Sequence, residues 1–119
     1  PQAGDASSPG IARSLLDKRF EGDLVATSRG QMLSFFAGEP GSAGYVAMEL
    51  VSGELHGRRG TFVLQHDGHM NRGSQQLSVV VVADSGTQDL VGLKGHMSID
   101  ADGGQHRYEL TFTFEDEAR

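Results

Sequence analysis

Glu49 and His66 are the pair of side chains in this sequence best suited to chemistry. A carboxylate held beside an imidazole favours the charged ring, and together the two make an acid/base pair. Both lie in the stretch 44–70, GYVAMELVSGELHGRRGTFVLQHDGHM, which reads as two strands folded back on each other. If Arg58-Arg59 is a two-residue loop, Gly57 faces Gly60, and His66 lies opposite Val51 with Glu49 as its diagonal neighbour. Diagonal neighbours on one face sit roughly 7–8 Å apart, within reach of long side chains. Tyr45, Leu55, Phe62 and Leu64 share that face. A slip of one residue separates the pair, because side chains alternate between faces. Glu49 and His66 are therefore the candidate catalytic residues, conditional on the register of this hairpin.

Other constellations carry less. The chain has five histidines and no cysteine, so thiolate ligands, disulfides and a Cys nucleophile are excluded. His66 and His69 are three apart, which on a regular strand points their rings to opposite faces. No zinc-like spacing is present, and no metal or cofactor is expected. Ser85-Gly86-Thr87 lacks the following helix of a nucleophile elbow and reads as a hydroxyl-stabilised turn. No Gly-rich loop follows a strand and opens a helix, so dinucleotide binding has no support. Gly57-Arg58-Arg59-Gly60 could meet an anion, although arginines in a hairpin turn are usually solvated.

Composition limits the molecule that positions these residues. At 119 residues the chain suits one domain, whose single core can bury roughly two thirds of the unfolded surface. The net charge of -6 disfavours phosphate backbones, so nucleic acid is not an expected partner. The longest apolar run, Val79-Val80-Val81-Val82-Ala83, is far short of the roughly 20 residues of a membrane-spanning helix, and a membrane is not an expected partner either. No secretory leader is visible, and the cysteine-free composition is compatible with a cytoplasmic location. The chain opens on Pro1 rather than a methionine, which points to an upstream segment. Glycine is the informative count: 17 residues against only 3 prolines, about twice average usage. Glycines between β-branched runs predict many turns and many strands.

Residues 1–10 read as a loop-like lead-in and residues 11–119 as one domain. The run 11–20, IARSLLDKRF, has helical i,i+4 pairs (Ile11 with Leu15, Ala12 with Leu16). Its competitor is a strand with the poorly amphipathic set Ser14, Leu16, Lys18, Phe20. Residues 24–37 read as a strand bulged or bent at Gly30, and Glu39-Pro40-Gly41-Ser42 as a turn. Residues 44–55 and 61–70 form the hairpin above. Strands over 75–84, 90–100 and 106–114 follow, the last two joined by an Asp102-Gly103 hairpin turn. In the last strand Tyr108, Leu110, Phe112 and Phe114 fall on one face. Tyr108, Phe112 and Phe114, together with Phe35, Phe36, Tyr45 and Phe62, are the aromatic side chains expected to fill or line an interior. Seven successive strands with short links imply an antiparallel meander, closed most simply as an up-and-down barrel, with a two-sheet sandwich as the alternative.

The runs GDL (22–24), ATSRGQML (26–33), GSAGYVAMELVSGELHGRRGTFVLQHDGHM (41–70) and QLSVVVVADSGTQDLVGLKG (76–95) resemble DUF3224, a bacterial family of unknown function. The matching motifs are a Gly-Tyr-Val-Ala opening, a Gly-Arg-x-Gly-x-Phe hairpin, a Gln-His-x-Gly end and a Ser-Gly-Thr turn. The resemblance implies an eight-stranded antiparallel barrel like that of allene oxide cyclase, and it implies that 11–21 is strand rather than helix. It also implies one further strand before Pro1, so this chain is expected to form seven strands and a gap. An edge left open at 11–21 predicts pairing with a second chain, such as another copy, or poor solubility. Two departures stand out. The family pattern Ser-Gly-Thr-Gly-Glu-Leu reads Ser85-Gly86-Thr87-Gln88-Asp89-Leu90 here, and the small residue usual after Gln-His-x-Gly is His69.

The expected function is that of a barrel binding a small apolar molecule, lined by Tyr45, Phe62, Leu64, Tyr108 and Phe112. The alternative is a cyclase- or isomerase-type enzyme that holds an apolar substrate in a reactive shape, with Glu49 and His66 as its acid/base pair. A filled, structural barrel is the third reading.

Overall fold

The computed structural model describes residues 10–38, 41–100 and 107–115. Seven strands follow one another: β1 (Ile11–Phe20), β2 (Leu24–Phe36), β3 (Ala43–Leu55), β4 (Arg58–Asn71), β5 (Ser74–Val81), β6 (Leu93–Asp100) and β7 (Arg107–Phe114). They form one antiparallel sheet in sequence order. A 3-10 turn, Gln88–Leu90, precedes β6. No helix among the described residues is long and apolar enough to cross a membrane. The helical pairs of 11–20 do not prevail, because every residue of β1 has a partner on β2. Tertiary pairing overrides a weak local propensity. The expected turns at Asp102-Gly103 and Glu39-Pro40, and the lead-in up to Pro9, lie outside the described residues.

The sheet rolls without closing. Among the described residues β1 and β7 share no ladder, so the expected closed barrel is not formed by hydrogen bonds. Side chains alone meet across the seam, where the Phe20 ring sits edge-on to Tyr108 at 5.5 Å. Inner-facing glycines permit the tight curl. A Cβ on Gly30 would land on the Met48 carbonyl, and one on Gly53 on the Val25 carbonyl. Gly30 is not a bulge, since the ladders run unbroken through it to Leu16 on one side and Glu49 on the other. It marks close backbone approach instead.

The β3–β4 register differs from the expected one. The turn is His56-Gly57, both with positive φ (49° and 80°), the geometry of a type I′ hairpin, in which the second residue favours glycine. Leu55 therefore pairs with Arg58, and His66 with Ala47 rather than Val51. The arginines follow the turn: Arg59 reaches Glu54 at 3.2 Å, and the Arg58 guanidinium lies 4.0 Å over the Phe114 ring. With the His56 ring edge-on to Phe112 at 5.3 Å, the hairpin tip folds over one end of the rolled sheet.

The core lies inside the curl. Phe20, Leu24, Val51, Leu55, Phe62, Leu64, Val79, Leu90 and Met97 are buried there. Not every aromatic goes inside. Phe35 and Phe36 are exposed, a correction to their expected place in the interior. Phe35 falls on the outer face by strand parity, and Phe36 ends β2. The segment after β5 keeps bonding to β4 instead of turning at once into β6. Val82 N–H donates to the Val63 carbonyl at 2.9 Å and Thr87 N–H to the Thr61 carbonyl at 2.9 Å. The Ser85 and Thr87 hydroxyls accept from Val63 N–H and Thr61 N–H, both at 3.0 Å. Those hydroxyls thus dock the loop on β4 rather than brace its own turn.

Candidate functional site

Glu49 and His66 meet inside the curl. They are diagonal neighbours on adjacent strands, since Glu49 pairs with Leu64 and His66 with Ala47. The expected register also made them diagonal neighbours, from the other side, because the two registers differ by an even number of residues and keep the same face inward. Glu49 is 1 % exposed and His66 4 %. His66 Nε2 lies 2.5 Å from Glu49 Oε1. On the other carboxylate oxygen, the Ser28 hydroxyl donates to Oε2 at 2.5 Å. Lys18 Nζ stands 3.6 Å from Oε1, its side chain 29 % exposed. Four consecutive strands, β1 to β4, each supply one member of the cluster. Gly30, the β2 partner of Glu49, presents no side chain there, so Glu49 lies between Lys18 and Ser28 on one side and His66 on the other.

Burial pushes the Glu49 carboxyl up, but the hydrogen bonds from His66 and Ser28, with the charge of Lys18, outweigh it and hold the group below the usual carboxylate range. A net lowering despite burial means that the carboxylate is ionised near neutrality and is the acceptor of the cluster. Taken alone, the arrangement can orient an imidazole, hold a proton between Oε1 and Nε2, and offer the Lys18 ammonium to an incoming polar group.

The remaining expected site residues are not gathered in one place. Phe62 and Leu64 are fully buried core. Tyr45 faces inward, its ring lying flat over Gly68, where a Cβ would strike it. Its hydroxyl is pushed up by burial, then by the charges of Asp67 and Glu49. Tyr108 and Phe112 line a cleft of about 660 Å³ at the seam between the β1–β2 turn and β7, with Phe20, Leu24, Leu55 and Met97. His66 points inward and is buried, whereas His69 is exposed on the outer face.

Lys18 and Ser28 were not among the expected site residues. Each nevertheless had a signal. Lys18 is the charged member of the set Ser14, Leu16, Phe20, and Ser28 shares parity with Leu24 and Ala26. A polar residue in an inward-facing set needs a partner, and Glu49 is that partner for both.

A rolled antiparallel meander with one buried polar cluster inside it thus defines the molecule. The family model of DUF3224, described as a protein of unknown function, matches residues 1–112, and the chain belongs to that family. A crystal structure of a DUF3224 protein of unknown function from Shewanella oneidensis MR-1 is similar to it at 47% identity and a TM-score of 0.89, covering 98% of this chain and 88% of that one. No curated protein matches.

Proposed function

We propose that this protein binds a small, largely apolar molecule bearing one polar group, in the cleft at the seam of the rolled sheet. The observation that carries the reading is the nearness of two unlike environments. A cleft with Phe20, Met97, Tyr108 and Phe112 on its apolar side and Arg19, Glu21, Asp23 and Glu109 at its polar side begins two residues along β1 from Lys18, which points inward to the buried charged cluster. That spacing is about 7 Å along a strand. The apolar body would lie against the rings, and the polar group would reach the Lys18 ammonium. Buried charges are expensive to maintain for stability alone, which supports a role for the cluster in recognition. In this reading the sheet acts as the wall of an allene-oxide-cyclase-like barrel whose interior is entered at the seam.

The test is to incubate the purified chain with a metabolite extract, wash it, and identify retained molecules by mass spectrometry. An enriched apolar compound is expected, lost with Tyr108→Ala and bound about tenfold more weakly by Lys18→Met. Equal retention by both variants would remove the seam as the site. A second reading, an acid/base enzyme, is favoured by the 2.5 Å contact between Glu49 and His66. It predicts that the retained compound is converted, and that His66→Gln binds it without converting it. A compound recovered unchanged after prolonged incubation with the wild-type chain counts against catalysis.

A further inference from the structure

The outer face of β2 and β3 is unusually apolar for a surface. Leu33, Phe35, Val46, Met48 and Leu50 each expose about half of their side chains there. They are neighbours in register: Leu33 pairs with Val46, and Met48 and Leu50 follow Val46 at two-residue steps on β3. A shallow depression of about 740 Å³ runs over Leu33, Val46, Met48, Leu50 and Val63. It adjoins a second of about 690 Å³ that shares Leu33 and Val46 and extends to Phe35. A contiguous exposed apolar patch on a small protein marks an interaction surface. It lies on the face opposite to Glu49 and His66 and is independent of the proposed ligand site.

The charges beside the patch identify its occupant. Arg29 lies on β2 in the row Arg29–Leu50–Val63, and Asp67 on β4 in the row Leu33–Val46–Asp67. Among the described residues neither has an ion-pair partner. Midway between those rows runs Gln31–Met48–Gln65, and β3 lies midway between β2 and β4. Met48 is therefore at the midpoint of the line from Arg29 to Asp67. We infer that this face packs against the same face of a second copy, about a two-fold axis that crosses Met48 perpendicular to that line. The operation sets Arg29 over the partner's Asp67 and Asp67 over the partner's Arg29. The two Met48 side chains meet at the axis and the Leu33 side chains close beside it. An isologous contact requires this self-complementarity. The match of Arg29 to Asp67 under this operation, on a chain of net charge -6, suits a second copy better than an anionic surface.

Sedimentation equilibrium of the full chain tests the inference, with a dimer of the 12.7 kDa chain expected at micromolar concentration. Met48→Asp should raise the dissociation constant at least about a hundredfold while leaving the thermal midpoint of the monomer unchanged, because Met48 is exposed. Arg29→Asp and Asp67→Arg should each weaken the dimer about tenfold or more, since each reversal sets two like charges together twice per dimer. The double reversal should restore the wild-type constant to within about threefold, a rescue that general destabilisation cannot produce. A wild-type chain that stays monomeric at about 0.5 mM overturns the inference. So does a dimer that survives Met48→Asp, which would use another surface such as the β1 edge, and so does a double reversal that recovers nothing.

Discussion

Glu49 is surrounded by groups that favour its charge, and this sets how its removal is felt. Glu49→Ala leaves His66 and Ser28 without their acceptor and Lys18 without its counter-charge in a buried place, which should cost about 3–5 kcal/mol, read from urea unfolding at pH 7. Lys18→Met removes a partly solvated partner at 3.6 Å and should cost about 1 kcal/mol or less. The pH dependence has a definite sign. Because the folded-state pKa of Glu49 lies below its ordinary value of 4.5, the unfolded chain binds the proton more tightly. The stabilisation is thus complete above 4.5 and is lost as the pH falls through the lower folded-state value. A series of urea midpoints from pH 6 downward should show the wild type losing this increment in acid, while Glu49→Gln lacks that part of the slope. Equal slopes in the two proteins would mean that the carboxylate is not held ionised by its neighbours.

The loop between β5 and β6 and the glycines of the curl make a second kind of prediction. Gln88 has a positive φ of 54° at the position where the family pattern carries glycine. A side chain there costs roughly 1–2 kcal/mol, and the extra freedom of an unfolded glycine returns roughly half of that. Gln88→Gly should therefore stabilise the fold by about 0.5–1 kcal/mol and raise the thermal midpoint by a few degrees. Gly53 behaves oppositely. A methyl at Gly53 would meet the Val25 carbonyl and the Cα of Ala26 on β2, so Gly53→Ala should destabilise by about 1–3 kcal/mol. A neutral Gly53→Ala would show that the curl between β2 and β3 relaxes easily.

The sheet is unevenly stitched. The β1–β2, β2–β3 and β3–β4 ladders run for ten or more residues, whereas β5 and β6 share the single pair Val80 and His96. The β6–β7 hairpin is instead held by core contacts of Leu93 and Met97 and by Phe112 and Phe114 against the hairpin tip. Native-state hydrogen exchange should show β6 and β7 opening together at lower free energy than β2 to β4. Protection of β6 and β7 equal to that of β3 would mean that the molecule opens only as a whole. The seam proposed for ligand entry borders this hairpin, so a bound ligand should raise the protection of β7 before that of β3.

Alternation along the strands was legible in the sequence by itself. The strands after β1 and the shared face of Glu49 and His66 follow from side-chain parity, which is a local property, whereas β1 is ambiguous by its own pattern and reads as strand only through the family resemblance. The register of the β3–β4 hairpin was not read correctly, although Gly57 carried the signal, because two adjacent turn candidates compete over five residues and only the full ladder decides between them. The pair survived that error because parity is unchanged by an even shift. Lys18 and Ser28 could not be joined to Glu49 from sequence alone, since they lie 31 and 21 positions away and meet it only once β1, β2 and β3 are adjacent. Tertiary structure also decided that Phe35 faces outward and that β1 and β7 touch through side chains without a ladder. These depend on the sense and degree of curl, which inner-face packing and the close backbone approaches at Gly30 and Gly53 set over the whole sheet.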